Sequence, residues 1–213
     1  MSFSQFIEWE IIPDSTPHIV RHCPKCDCKS DFINTGNFRV NANGNRIDVW
    51  LIYRCAVCRS TYNLSVYERM KPDRIPKEEY EGYLANDREL AFKCGFDKHL
   101  FQKNKVATAV NHIGYRVIER RCSKRDDGSE VLITVRCGYE LPVRPDKILS
   151  QQLLLSRAGI GKLMEDGLIF CENGSNPGKT FIADNMKIIL NNAVFSCETS
   201  PKATGKERET AEG

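Results

Sequence analysis

Residues 37–55, NFRVNANGNRIDVWLIYRC, decide the fold of the N-terminal part of this 213-residue chain. Apolar and polar residues alternate around Asn43-Gly44, and Asn-Gly is the strongest short-range signal for a two-residue hairpin turn. The alternation places four residues after the turn on one face, Ile47, Val49, Leu51 and Tyr53. We predict two paired strands with one buried face, and a third strand in STYNLSVYER, residues 60–69.

Two Cys-x-x-Cys motifs flank this hairpin, CPKC at 23–26 and CAVC at 55–58. Pairing of the strands returns the second motif to the first, and four thiolates then suit tetrahedral zinc. Such a site is closed, with no position for a reacting water, so its role is structural. The sequence predicts an N-terminal zinc ribbon with Zn²⁺ bound by Cys23, Cys26, Cys55 and Cys58.

The remaining cysteines need another explanation. Cys28 could replace Cys26 as a ligand, although the matched spacing of the two pairs favours Cys26. His22 is more easily explained as a solvated neighbour than as a fifth ligand. Five other cysteines lie among apolar residues and are expected to be small buried side chains: Cys94, Cys122, Cys137, Cys171 and Cys197.

Composition limits the partners. The chain has 31 Lys and Arg against 28 Asp and Glu, a net charge of +3, so a nucleic-acid surface must be a local patch. No apolar run is long enough to cross a bilayer, and the N-terminus lacks the features of a signal peptide. We therefore expect a cytoplasmic protein without a membrane partner.

The middle of the chain predicts short helices followed by strands. One helix begins after Pro76, and two more follow in residues 86–96 and 97–104. Residues 115–141 predict two strands joined by a loop at 126–128, with the basic run ERRCSKR, 119–125, at a solvated hairpin end rather than on nucleic acid. No catalytic motif occurs, which leaves enzymatic activity uncertain and less favoured.

Residues 144–182 predict two helices and then a strand, a turn and a strand. Ser156 is a suitable N-cap for the second helix, and Gly167 a suitable end. Gly159 and Gly161 lie inside this helix, where each glycine costs about 1 kcal/mol relative to alanine. Close helix packing, simple tolerance, or the approach of an RNA backbone would each account for them.

This C-terminal segment resembles the RNA-binding domain named after small-subunit ribosomal protein four, the S-four domain. The resemblance rests on Arg144 and Asp146, on Ser156-Arg157, and on the helix end at Gly167. It implies RNA contacts from the helix pair, by Arg144, Lys147, Arg157 and Lys162. A helix-turn-helix that binds DNA is the alternative, but the strand and Asn-Gly turn after the second helix favour the S-four domain.

The whole chain also resembles a bacterial family of uncharacterised proteins, domain of unknown function 1062. The resemblance is carried by CPKC, by FRVNANGNRIDVWLIYRCAVC at 38–58, by TYN at 61–63, and by Glu68-Arg69 and Asn86-Asp87. The family name implies no biochemical activity.

Together these patterns predict an α+β protein in four segments. These are a β zinc ribbon at 1–70, a mixed α/β middle region at 71–142, a small α-α-β S-four-like module at 143–196, and a disordered tail at 197–213. The expected function is that of a zinc-containing protein that binds structured RNA, ribosomal or transfer RNA among the candidates. The alternatives are a DNA-binding transcriptional regulator, and an RNA-modifying enzyme or its accessory subunit.

Overall fold

The computed structural model describes residues 3–110, 113–122 and 128–196. The strands are β1 (Phe3–Pro13), β2 (His18–Cys23), β3 (Cys28–Asn43), β4 (Arg46–Cys55), β5 (Thr61–Met70), β6 (Ala107–Ala109), β7 (Tyr115–Cys122), β8 (Glu130–Arg136), β9 (Ile169–Cys171) and β10 (Met186–Asn191). The helices are α1 (Lys77–Ala85), α2 (Arg88–Cys94), α3 (Lys98–Lys103), α4 (Pro145–Gln152), α5 (Arg157–Glu165) and α6 (Ala193–Ser196). These helices and two separate sheets confirm the α+β class.

The chain divides into two compact units. The first contains the described residues of 1–10, 119–136 and 143–213, and the second those of 11–118 and 137–142. The segment predicted as a C-terminal module, 143–196, falls within the first unit, whereas the segment 1–70 contributes to both. The predicted disordered tail, 197–213, lies outside the described residues.

The first unit is built on a five-stranded sheet with the order β7-β1-β8-β10-β9. β1 runs parallel to β8, with Trp9 opposite Val135, and β10 lies antiparallel between β8 and β9. Helices α4 and α5 pack against each other, and α5 also contacts β9. Its core side chains are almost completely buried: Trp9, Ile133, Ile148, Leu149, Ile160, Ile169 and Ile188.

Two strand predictions for this unit need correction. β7 and β8 both form, but they do not make a hairpin, because β1 lies between them. The alternating burial of Ile7, Trp9 and Ile11 along β1 shows that one face of this strand is covered. The second strand predicted in residues 172–182 is also wrong, since β9 pairs instead with the later strand β10.

The second unit is built on a sheet with the order β5-β4-β3-β2-β6. Its β3–β4 pair confirms the predicted hairpin, and alternate residues of β4 from Ile47 to Tyr53 are buried. The turn is displaced by one residue from the prediction. Asn43 pairs with Arg46, so the two-residue loop is Gly44-Asn45, and Gly44 supplies the positive φ of +58°.

The three predicted short helices of this unit are confirmed. The side chains of Asp87 and Asp97 accept hydrogen bonds from backbone N–H groups at the starts of α2 and α3. Helices α1 and α2 contact β3, and α3 contacts β5.

Candidate metal centre and basic helix pair

The two Cys-x-x-Cys motifs occupy equivalent turns of the second unit. Cys23 ends β2 and Cys55 ends β4, and each motif forms the turn into the next strand. The residue after the second cysteine of each turn has a left-handed backbone, with φ +52° at Asp27 and +63° at Arg59. Non-glycine residues adopt this conformation infrequently, so its occurrence at both equivalent positions is a feature that the two turns share.

The four thiols of these turns come together. The Sγ atoms of Cys23, Cys26, Cys55 and Cys58 all lie within 4.8 Å of one another. The Cys23–Cys58 sulfur distance is 3.5 Å and the Cys26–Cys55 distance is 3.9 Å. Four sulfurs at the usual zinc–sulfur distance of about 2.3 Å would stand about 3.8 Å apart in a tetrahedron. The donor set and its spacing can therefore hold a metal ion.

The ionisation of these thiols is uneven. A hydrogen bond from the Ser60 hydroxyl lowers the pKa of Cys23 to about 6, and Ser60 also lowers the pKa of Cys58. Contact with Cys58, followed by burial, raises the pKa of Cys26 to about 12. Thiols this close cannot all become thiolates unless a cation compensates the charge, and a divalent cation would remove that penalty.

Cys28 and His22 lie outside the group of four. Cys28 is exposed, and its sulfur lies 3.5 Å from the Ser30 hydroxyl. Its position in the first turn is equivalent to that of Ser60 in the second, since both residues follow the second cysteine by two places. His22 faces Asp27, with 3.4 Å between Nε2 and the carboxylate.

The scattered cysteines agree with the expectation of small buried side chains where the structure describes them. Cys94, Cys137 and Cys171 are buried, and none of them is in a disulfide among the described residues. The side chain of Cys122 and the whole of Cys197 lie outside the described part of the chain.

The second predicted site, on α4 and α5, is organised around Asp146. Asp146 is buried as a residue, and its carboxylate accepts hydrogen bonds from Arg157 at 2.6 and 3.2 Å. Arg144 lies 3.4 Å from its other oxygen and donates to the Gly178 carbonyl at 2.9 Å. Two of the four residues implied in RNA binding, Arg144 and Arg157, are thus engaged within the protein.

The other two predicted RNA contacts are exposed. Lys147 lies on α4 and Lys162 on α5, and their positions leave both side chains at the surface. The Ser156 hydroxyl accepts from the Gly159 N–H at 3.0 Å, which confirms the predicted N-cap. A Cβ placed on Gly161 would meet no atom within 4 Å, so close helix packing does not account for this glycine.

The basic run 119–125, which begins within β7, has internal partners in its described part. Arg120 lies 2.8 Å from Glu10, and Arg121 lies 2.6 Å from Glu119. Residues 123–127 of this run and the adjoining predicted loop lie outside the described residues.

Sequence reasoning did not identify two residues of these sites. The sequence pattern predicts Ser60 as the first residue of a strand. Its position two residues after CAVC is the signal that could have identified it as a neighbour of the thiols. Asp146 was recognised as an acidic residue of a motif, but no sequence pattern indicates that it joins Arg144 and Arg157.

Comparison with known families identifies the chain at the level of a family. The family described as "Protein of unknown function (DUF1062)" matches residues 40–175. The chain belongs to this family. The DUF1062 match contains Cys55 and Cys58 together with α4 and α5, whereas Cys23 and Cys26 precede it. Among curated proteins and among solved structures, none matches the chain.

Over the described ranges, no helix has the length and apolar character needed to cross a bilayer.

Proposed function

We propose that this protein is a zinc protein in which Zn²⁺ bound by Cys23, Cys26, Cys55 and Cys58 stabilises the fold. The observation that carries the proposal is the near-tetrahedral spacing of four thiols from two equivalent turns. Four-sulfur tetrahedral sites select zinc or iron, and two Cys-x-x-Cys pairs are typical of structural zinc. The ion would join the β2–β3 turn to the β4–β5 turn, as in a zinc ribbon. Cysteines without disulfides in the described part of the chain also fit a reducing compartment, the cytoplasm.

Metal analysis of the purified protein tests this proposal. We expect one zinc ion per chain, and loss of that zinc in Cys55→Ser, because three thiolates leave the tetrahedron incomplete. Cys28→Ser is the matched control and should retain the metal, since Cys28 lies outside the group of four. Iron in place of zinc, or full zinc content in Cys55→Ser, would contradict the assignment.

We further propose that the helix pair α4–α5 binds structured RNA, with ribosomal or transfer RNA as candidates. Support comes from the S-four resemblance, from the exposed Lys147 and Lys162, and from the open space beside Gly161. Arg144 and Arg157 would contribute less freely, because Asp146 already holds both. Besides the lysines, the partial positive charge of the helix dipole at a helix N-terminus attracts phosphate.

The RNA proposal is tested by the salt dependence of binding. Phosphate contacts give a linear fall of log affinity with log salt, at about 0.7 to 0.9 per contact. The double variant Lys147→Ala/Lys162→Ala should bind RNA more weakly and flatten this slope by roughly 1.4 to 1.8. Lys77→Ala, an exposed lysine on α1 of the second unit, is the control and should leave the slope unchanged.

Other outcomes separate the competing functions. Equal or tighter binding to duplex DNA would favour a transcriptional regulator. Conversion of the bound RNA to a modified product would favour an enzyme. If the double variant binds RNA as the parent does, the helix pair is a packing element and the RNA proposal fails.

A further inference from the structure

A cavity of about 420 Å³ lies in the second unit between α1, α2, α3 and strand β5. Four aromatic side chains contribute to its wall, Tyr67, Tyr83, Phe96 and Tyr139. Its size lies within the range of small-molecule sites, which are about 300 to 1,000 Å³. All of its lining residues belong to the second unit, and none belongs to the four-thiol group.

The aromatic residues form two groups. Tyr67 and Tyr83 meet edge to face, with ring centroids 6.0 Å apart. Tyr139 packs on Phe96 at 4.5 Å and on Phe92 at 5.4 Å. These contacts hold the rings in place before any ligand enters, so a ligand would not have to bear the entropic cost of ordering them.

The charged groups of the cavity are mainly acidic. Glu79 and Asp97 contribute carboxylates, and Lys93 contributes one ammonium group. Both tyrosine hydroxyls, those of Tyr67 and Tyr83, donate to Glu79 Oε2, at 3.2 and 3.0 Å. Glu79 Oε1 is engaged by none of the described residues, so half of this carboxylate is available to a ligand.

The pKa of the buried Cys94 thiol is affected by the negative charges of the same cavity. Burial, followed by the charges of Asp97 and Glu79, raises the pKa of Cys94 to about 12. The two carboxylates therefore oppose the formation of a further anion in the cavity. An anionic ligand would meet the same opposition.

We propose that this cavity binds a small organic cation, an amine or a quaternary ammonium compound. The electron-rich faces of aromatic rings attract such cations, and a carboxylate among the rings adds direct charge pairing. Glu79 is the residue that supplies this charge, while Tyr139 and Phe96 supply ring surface. The site is independent of both the zinc and the RNA proposals, because it uses none of their residues.

Calorimetric titration of the full chain with three probes tests the site. Choline and butylammonium carry the positive charge, whereas 3,3-dimethylbutan-1-ol has the shape of choline without the charge. We expect one of the two cations to bind at least about 10-fold more tightly than the neutral alcohol, the factor that corresponds to about 1.4 kcal/mol. Absence of binding by both cations, or equal binding of the neutral alcohol, would overturn the proposal.

Substitutions then place the binding in this cavity. Glu79→Gln should weaken cation binding about 10-fold or more while its amide oxygen still accepts from the tyrosines. Glu78→Gln, on the exposed face of the same helix, is the matched control and should bind as the parent does. Tyr139→Leu should also weaken binding, with circular dichroism used to verify folding. Unchanged affinity in both Glu79→Gln and Tyr139→Leu would place the cation elsewhere and reject this cavity.

Discussion

The thiol group of the second unit and the Asp146 cluster of the first differ in how their charges are balanced. Four thiols converge within 4.8 Å of one another, a set of ligands that could hold a metal ion. Asp146 instead has two arginines of the same chain within 3.4 Å. The Asp146 cluster can stabilise the fold without a bound ion, because arginines of the same chain neutralise its charge. The thiol group needs a bound cation before it can stabilise the fold in the same way. The difference separates a candidate binding site from a structural ion pair.

Removal of the proposed zinc ion is expected to have the largest effect on this contrast. A chelator should lower the free energy of unfolding of the second unit by several kcal/mol, because binding energy at a structural zinc site is folding energy. Hydrogen exchange followed by mass spectrometry should show lost protection in β2–β5. Protection in β8 and β10 should persist, and an equal loss in both units would break the distinction between them.

Removal of the internal anion is the next test. Asp146→Ala should destabilise the first unit by about 2 kcal/mol, below the about 3 to 5 kcal/mol of a fully buried pair, because both arginines are almost half exposed. Urea unfolding measures the change. Glu165→Ala, an exposed residue of α5, is the control and should stay within about 0.5 kcal/mol of the parent. A chelator should not alter the effect of Asp146→Ala.

Two glycines near the Asp146 cluster offer a smaller, paired test. Gly161→Ala should stabilise the protein by about 0.5 to 1 kcal/mol, because its Cβ meets open space within a helix. Gly167→Ala should destabilise it by a similar amount, about 1 kcal/mol, because this residue has φ +71°. Thermal unfolding of both variants measures the difference. A destabilised Gly161→Ala would show that this helix face is less open than described.

The smallest effect concerns another internally balanced carboxylate, Glu119. Burial alone would raise its pKa, but hydrogen bonds from Arg121 and Trp9 outweigh burial and lower the pKa below the ordinary 4.5. A lowered pKa contributes stability above pH 4.5 that is lost as the pH falls through the lower folded value. Glu119→Gln should therefore show a flatter dependence of stability on pH below 4.5 in urea unfolding. If the pH dependence of stability in Glu119→Gln equals that of the parent, Glu119 is not an internally balanced carboxylate like Asp146.

The features that the sequence predicted well are local. The spacing of two Cys-x-x-Cys pairs, the Asn-Gly turn within one residue, and the helix cap at Ser156 each depend on neighbours along the chain. The parallel pairing of β1 with β8 does not, since Trp9 and Val135 are far apart in sequence. No local pattern states which distant strand will lie beside another, so the hairpin predicted between β7 and β8 was wrong.

The same distinction applies to the sites. The four cysteines could be found because their spacing within each pair carries the information. The link between Asp146 and Arg157 arises only when α4 folds back on α5, and the contact of Ser60 with Cys23 arises only when the two turns meet. Partners that are brought together by tertiary contact leave no spacing rule in a single sequence.

The equivalent positions of the two cysteine turns, each between two paired strands, have a consequence for the order of folding. Each turn can present its own two thiols as soon as a short segment closes, which is fast because the loop is small. The complete set requires Cys23 to meet Cys58, at a separation of 35 residues, and the pairing of β3 with β4 helps to bring these two residues together. A metal ion that binds first to one turn would have only two of its four thiolate ligands. Four-coordinate binding would then be possible only when β3 and β4 pair in the correct register, so the ion would favour that register.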